Sequence, residues 1–90
     1  MKYRSRTDIV FKMLESANGG CTKTRIMYNA YISYSQLKDY LSTLIENGLI
    51  EHDAASNTYR TTPKGLAFIS AYQKMDDMSN FTSKLTLLQK

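Results

Sequence analysis

The chain has 90 residues, 42% of them hydrophobic, and a formal net charge of +4. This length and composition suit one small domain with a thin core, which often gains stability by oligomerising. Cys21 and His52 are the single cysteine and the single histidine, which excludes an intramolecular disulfide and a His/Cys metal site. We expect no cofactor and no bound metal. Without a run of 18 apolar residues or a signal-peptide core, we expect a cytoplasmic protein with no membrane span.

The positive charge is concentrated in the first part of the chain. Residues 1–38 hold seven basic and two acidic residues, whereas residues 39–90 hold five basic and six acidic ones. Lys and Arg on such a surface can neutralise the phosphates of a nucleic acid. A modestly basic, solvated surface is the alternative interpretation.

Two short helices are predicted first. Helix 1 is expected to begin near Ser5 or Thr7, to run to about Asn18 and to end at the two glycines that follow. Its inner face, at helical spacing, consists of Ile9, Val10, Met13, Leu14 and Ala17. Helix 2 is expected over residues 24–29 with Thr22 as its N-cap. Its inward residues are Ile26 and Met27, and its outward ones are Lys23 and Arg25.

The third predicted helix, residues 33–47, has a signal at each end. Ser33 and Gln36 have the spacing of a capping box, and Gly48 stands where a left-handed C-terminal cap is needed. The apolar stripe that should face the core consists of Leu37, Leu41, Leu44 and Ile45. The opposite face is rich in hydrogen-bond donors and carries Tyr34, Ser35, Lys38, Ser42 and Thr43. A short helix followed closely by a longer, better capped one is the arrangement of a helix-turn-helix. An ordinary amphipathic surface helix is the alternative.

A β-hairpin and a final helix follow. Residues 49–52 and 58–61 are predicted strands around the turn at 53–57, with Ile50 and Tyr59 packing on the helices. Thr62 is the expected cap of the last helix and Pro63 its first residue. Apolar residues then recur at the spacing of a coiled-coil seam, namely Tyr72, Met75, Met78, Phe81, Leu85 and Leu88. We expect this seam to form a homodimer interface.

Residues 76–80 have poor helix propensity, so the last helix either continues through them or breaks there. We therefore divide the chain into a domain over residues 1–75 and a dimerisation extension over residues 76–90. The predicted fold is mainly α with a small β-hairpin (α+β). Its order is helix-helix-helix-strand-strand-helix, which is that of a winged helix-turn-helix with a C-terminal dimerisation helix.

Several stretches resemble the small archaeal winged helix-turn-helix proteins, a family of predicted transcriptional regulators that includes dimeric, chromatin-type DNA binders. The similar stretches are residues 22–28, 33–37, 40–41, 48–50 and 61–66, within a resemblance that covers roughly residues 5–75. The resemblance implies dimerisation through the C-terminal helix and a nucleoid-associated protein. The Asp-Asp-Met-Ser-Asn stretch at 76–80 departs from the family pattern.

The resemblance implies that the start of helix 3 enters the major groove. The candidate DNA-binding residues are then Lys23, Arg25, Tyr34, Ser35, Gln36, Lys38, Asn57 and Arg60. Gln can read adenine and Lys can reach guanine, while Lys23 and Arg25 are expected to contact phosphate. Tyr34 is alternatively a core residue. The remaining tyrosines near these helices, Tyr28, Tyr31 and Tyr40, are expected mainly to pack, with a stacking role as the alternative.

The leading hypothesis is therefore a homodimeric protein that binds double-stranded DNA and regulates transcription, with helix 33–47 in the major groove and the wing, residues 51–60, beside it. The alternative is a winged-helix module that assembles protein complexes without binding DNA. An enzyme is not expected, because the sequence offers no acid–base pair, activated nucleophile or phosphate-binding glycine loop. We identify no catalytic residue and no small-molecule ligand.

Overall fold

The computed structural model describes the backbone of residues 5–88 and the side chains of residues 5–75. This part consists of four helices and a two-stranded antiparallel hairpin. The elements are α1 (Arg6–Ala17), α2 (Lys23–Ala30), α3 (Tyr34–Glu46), β1 (Ile50–Asp53), β2 (Thr58–Thr61) and α4 (Pro63–Leu88). This order confirms the predicted winged helix-turn-helix.

Side-chain caps define where the first three helices begin. Ser5 and Asp8 form a capping box at α1, and the Thr22 hydroxyl accepts the Arg25 amide at α2. At α3 the Ser33 hydroxyl accepts the Gln36 amide at 3.1 Å. Each hydroxyl satisfies an amide that has no partner inside the helix, which fixes the starting residue. The predicted N-caps at Thr22 and Ser33 are confirmed, and α2 extends one residue beyond its predicted range at each end.

The core lies between α1, α2, α3 and β1. Its buried hydrophobic residues are Ile9, Met13, Leu14, Ala17, Cys21, Ile26, Ala30, Ile32, Leu37, Leu41, Leu44 and Ile50. The prediction that Ile45 faces the core is wrong, because its side chain is 41% exposed. Ile45 follows Leu44 directly and is therefore turned by about 100° around the helix. The buried side of α3 is a narrow stripe that ends at Leu44.

The wing is extended by a third segment of chain. In the hairpin, Ile50 pairs with Thr61 and His52 with Tyr59. Cys21, just before α2, forms a β-bridge to β2: its amide donates to the Tyr59 carbonyl at 2.9 Å and its carbonyl accepts the Tyr59 amide at 2.7 Å. The wing is thereby tied to the link between α1 and α2, which supports an otherwise marginal hairpin.

The start of α4 holds the end of α3 in place. The Thr62 amide donates to the Leu49 carbonyl at 3.0 Å, and the Thr62 hydroxyl donates to the Gly48 carbonyl at 2.6 Å. Lys64 Nζ donates to the Asn47 carbonyl at 2.9 Å. We call residues 62–65 the clasp. It satisfies the carbonyls of Asn47, Gly48 and Leu49, the three residues that follow α3. These contacts give the Thr-Pro-Lys-Gly stretch a structural role.

Strand β1 begins one residue later than predicted. Leu49 closes the end of α3 instead, since its amide donates to the Leu44 carbonyl at 2.9 Å. Gly48 has a φ of 73°, so the predicted left-handed residue is confirmed. Glycine adopts this conformation without the clash that a Cβ atom causes.

Helix α4 continues through residues 76–80 to Leu88. Poor helix formers cost less than about 1 kcal/mol each, which one long helix tolerates. Near its middle, the Tyr72 ring stacks on Phe11 with centroids 4.3 Å apart, and the Tyr72 hydroxyl donates to the Asp8 carboxylate. These contacts anchor α4 on α1. The division of the chain after residue 75 therefore falls inside one helix and stays a prediction.

Candidate nucleic-acid interface

The exposed surface of α2 and the start of α3 is predominantly basic, and the nearest acid in the sequence is the exposed Asp39, directly after Lys38. Residues 21–38 contain three basic residues and no acidic residue. These three, Lys23, Arg25 and Lys38, all have exposed side chains. Lys23 and Arg25 lie in the first turn of α2, directly after the Thr22 cap. This part of the molecule is able to attract an anionic polymer.

Two of these cations meet at one aromatic ring. Lys23 Nζ lies 5.7 Å from the centroid of the Tyr34 ring, and Lys38 Nζ lies 5.7 Å from the same centroid. Lys38 follows Tyr34 by four residues, so both side chains project from the same face of α3. Tyr34 is 54% exposed and is therefore a surface residue and not part of the core. We call Lys23, Tyr34 and Lys38 the Tyr34 cluster.

Ser35 and Gln36 are exposed in the same first turn of α3. The side-chain carbonyl oxygen of Gln36 already accepts the Ser33 amide at 3.0 Å. Bidentate recognition of adenine uses this carbonyl oxygen together with the amide nitrogen of glutamine. The capping box therefore competes with base recognition by Gln36.

The two wing candidates lie apart from each other. Asn57 is at the tip with a φ of 52°, and its Oδ1 lies 3.2 Å from His52 Nε2. Arg60 pairs across the hairpin with Glu51. Its Nε and Nη2 atoms lie 3.9 Å from the position that a Cβ on Gly20 would occupy. Arg60 thus lies over the turn between α1 and α2, at a distance from the wing tip.

The tip of the wing carries a negative charge. Hydrogen bonds from the Ser56 side chain and from the Ala55 and Ser56 amides lower the pKa of Asp53 from its ordinary value of 3.8. Residues 54–57, Ala-Ala-Ser-Asn, bring no charge of their own. A tip of this kind repels phosphate, so the positive charge of the interface lies on the helices.

Two tyrosines are much more exposed than the sequence suggested. Tyr28 is 69% exposed and Tyr31 is 81% exposed, so the expectation that they mainly pack is wrong. Periodicity could have placed Tyr28 outside, since Ile26 and Ala30 take the buried side of α2. Tyr31 has a φ of 55° and ends α2 in the left-handed conformation that glycine usually provides. Tyr40 is half-buried against the core, as expected.

The predicted dimer-interface residues are only partly described. Met75 is 69% exposed, whereas Tyr72 is half-buried against α1. The side chains of Met78, Phe81, Leu85 and Leu88 lie outside the described residues. Whether this seam joins two protomers stays a prediction.

The described part of the chain contains no group of three or more His, Cys, Asp and Glu side chains that could hold a metal ion. Of the helices described, none has the length and apolar character needed to cross a membrane.

Comparison with known proteins identifies the family. A winged helix-turn-helix family model matches residues 3–80. The crystal structure of Sso10a-2, a DNA-binding protein from Sulfolobus solfataricus, is similar, with a TM-score of 0.73 and 24% sequence identity over 97% of this chain and 98% of that chain. At 24% sequence identity, this similarity shows a shared fold only. No curated protein gives a significant match. The family model matches most of the length of this chain, and the fold agrees with it. The chain therefore belongs to the winged helix-turn-helix family.

Proposed function

We propose that the chain binds double-stranded DNA as a homodimer and regulates transcription in the cytoplasm, on the nucleoid. The observation that carries this proposal is the exposed surface of residues 21–38, which presents Lys23, Arg25 and Lys38 without an acidic residue. The start of α3 would lie in the major groove, as the second helix of a helix-turn-helix does. The family and the name of the similar archaeal protein support DNA as the partner.

The salt dependence of binding tests this proposal. Fluorescence anisotropy with a labelled random duplex is measured between about 50 and 200 mM salt. Each neutralised phosphate contributes about 0.9 to the log–log slope. If the three cations each neutralise one phosphate, a protomer contributes a slope of about 2.7, and a dimer contributes about twice that value.

Charge reversal locates the binding surface. We expect Arg25→Glu and Lys38→Glu each to weaken binding roughly tenfold or more, because each replaces attraction to phosphate by repulsion. Lys74→Glu, an exposed site on α4 with the same change of charge, is the matched control and should bind nearly as the unmodified protein does. Thermal unfolding of each variant checks that the fold is retained. Equal affinity of all three variants would place the interface elsewhere.

The homodimer is tested by mass in solution. Met75 projects from α4 with 69% of its surface exposed, and an exposed apolar residue at a seam position favours burial by a second copy. We expect light scattering to give twice the chain mass, and Met75→Glu to shift it towards the monomer. Gln73→Glu, exposed and turned about 200° from Met75 on the same helix, is the control that should leave the dimer intact. A monomeric unmodified protein would refute this part of the proposal.

A second candidate function is a protein-interaction module. The negative tip of the wing favours it, because an ionised Asp53 disfavours the approach of phosphate to the wing. This function predicts negligible affinity for DNA at every salt concentration, and stable complexes with other proteins. A steep salt slope would exclude it as the sole function.

A further inference from the structure

The Tyr34 cluster brings together two lysines that come from different helices. Lys23 is the first residue of α2, and Lys38 lies in the second turn of α3. Like charges repel, so two ammonium groups at the surface tend to separate. Here each lies 5.7 Å from the Tyr34 centroid, so the two are at most twice that distance apart. The negative face of an aromatic ring attracts cations within about 6 Å of its centroid. This attraction explains why both ammonium groups lie close to the Tyr34 ring despite their mutual repulsion.

We infer that Tyr34 is a positioning residue, which holds the ammonium groups of Lys23 and Lys38 near each other so that they bind phosphates of the DNA backbone. This inference rests on the proposed function, since it assigns the ligand of that same surface. It differs from the sequence-based hypothesis that Tyr34 itself contacts a base edge.

The benefit to binding is pre-organisation. A free lysine side chain populates many rotamers, and ordering it at an interface lowers affinity. Contact with the ring restricts both side chains before DNA arrives, and the ammonium protons directed away from the ring remain available to phosphate oxygens. The ring also lies in the first turn of α3, where the helix dipole adds positive potential.

Two substitutions of Tyr34 separate the ring from the hydroxyl. Tyr34→Phe keeps the aromatic face and should retain the affinity of the unmodified protein to within about twofold. Tyr34→Leu keeps an apolar side chain but removes the π face, and should weaken binding about three- to tenfold. The side chain is 54% exposed, so neither change should lower the thermal midpoint by more than a few degrees.

A double-mutant cycle gives the decisive measurement. The effect of Lys23→Gln is compared between the unmodified protein and the Tyr34→Leu variant, with Lys12→Gln on α1 as the matched control. If Tyr34 positions Lys23, the loss caused by Lys23→Gln should be at least about twofold smaller once the ring is absent. Lys12→Gln should show no such coupling, since Lys12 lies in a helix that contributes nothing to the cluster.

The outcomes distinguish this inference from the proposed function. Binding by the unmodified protein, with equal effects of Lys23→Gln in the presence and absence of the ring, would overturn the positioning role and leave DNA binding intact. Loss of affinity in Tyr34→Phe comparable to that in Tyr34→Leu would also overturn it, because the hydroxyl would then be the contact. A flat salt series for the unmodified protein would refute the proposed function itself, and this inference with it.

Discussion

Replacing Gly65 by alanine should destabilise the fold strongly, although alanine is the better helix former. Gly65 lies in the first turn of α4, where its amide donates to the Thr62 hydroxyl at 3.1 Å. A Cβ atom there would lie 2.4 Å from the Leu49 carbonyl oxygen and 2.5 Å from Thr61 Cγ2. Cβ atoms essentially never come within 3.0 Å of a non-bonded heavy atom, so α4 and the segment after α3 must separate by at least about 0.6 Å.

The magnitude follows from two opposing effects. Overpacking a close contact costs about 1–3 kcal/mol, and the upper end applies here because the obstacle is backbone. The gain in helix propensity from glycine to alanine offsets at most about 1 kcal/mol. The net loss in the free energy of unfolding is therefore about 2 kcal/mol, which lowers the thermal midpoint of a domain this size by about 8–16 °C.

Thermal unfolding followed by circular dichroism measures this loss, with Gly48 as the matched control. Gly48 has a φ of +73° and no neighbouring atom within 4 Å of a Cβ position. Glycine is therefore favoured there by the backbone conformation and not by lack of space for a side chain. Asparagine tolerates the left-handed region, so Gly48→Asn should cost only a few tenths of a kcal/mol, up to about 1 kcal/mol. An unchanged or raised midpoint for Gly65→Ala would refute the close approach of the clasp to α3.

Three further contacts are tested by substitution or by titration. Thr61→Val removes the hydroxyl that donates to the Leu14 carbonyl at 2.6 Å in the buried core, and should cost about 1–3 kcal/mol in urea unfolding, while Thr61→Ser should cost less. Because the folded pKa of Asp53 is lowered below 3.8, its stabilising effect is present above that pH and is lost as the pH falls through the lowered folded value. An NMR titration of the Asp53 carboxyl should give a pKa below 3.8, and Ser56→Ala should raise that pKa. Tyr72→Phe keeps the stacked ring but loses the hydroxyl bond to α1, and should cost about 1 kcal/mol. If one of these measurements shows no change, the corresponding contact is contradicted.

The helices and the wing were predictable because their signals are local. A hydroxyl next to a helix start, a glycine after its end and a repeat of apolar residues each act within one or two turns of chain. Ser33 with Gln36 and Gly48 illustrate this, since they mark both ends of α3. The continuity of α4 was not predictable, because weak propensities at 76–80 compete with the cooperativity of a helix that extends on both sides.

Exposure was less predictable where it depends on what another element covers. Ile45 belongs to an apolar stripe by spacing, yet the core reaches only as far as Leu44. Tyr28 and Tyr31 could have packed on a neighbouring element, but the fold leaves both at the surface. For large residues at the edge of a helical face, periodicity gives the direction of a side chain and not the presence of a neighbour.

By itself, the sequence determined the order of elements, the helix ends and the excess of positive charge before residue 39, because these depend on residues close together in the chain. Only the tertiary structure decided which candidates meet. The packing of α2 against α3 brings Lys23 to Tyr34 and Lys38, eleven and fifteen residues further along, and the pairing of β2 with Cys21 places Arg60 over the turn before α2. Such distances are set by how the helices and strands pack together, which no local pattern specifies.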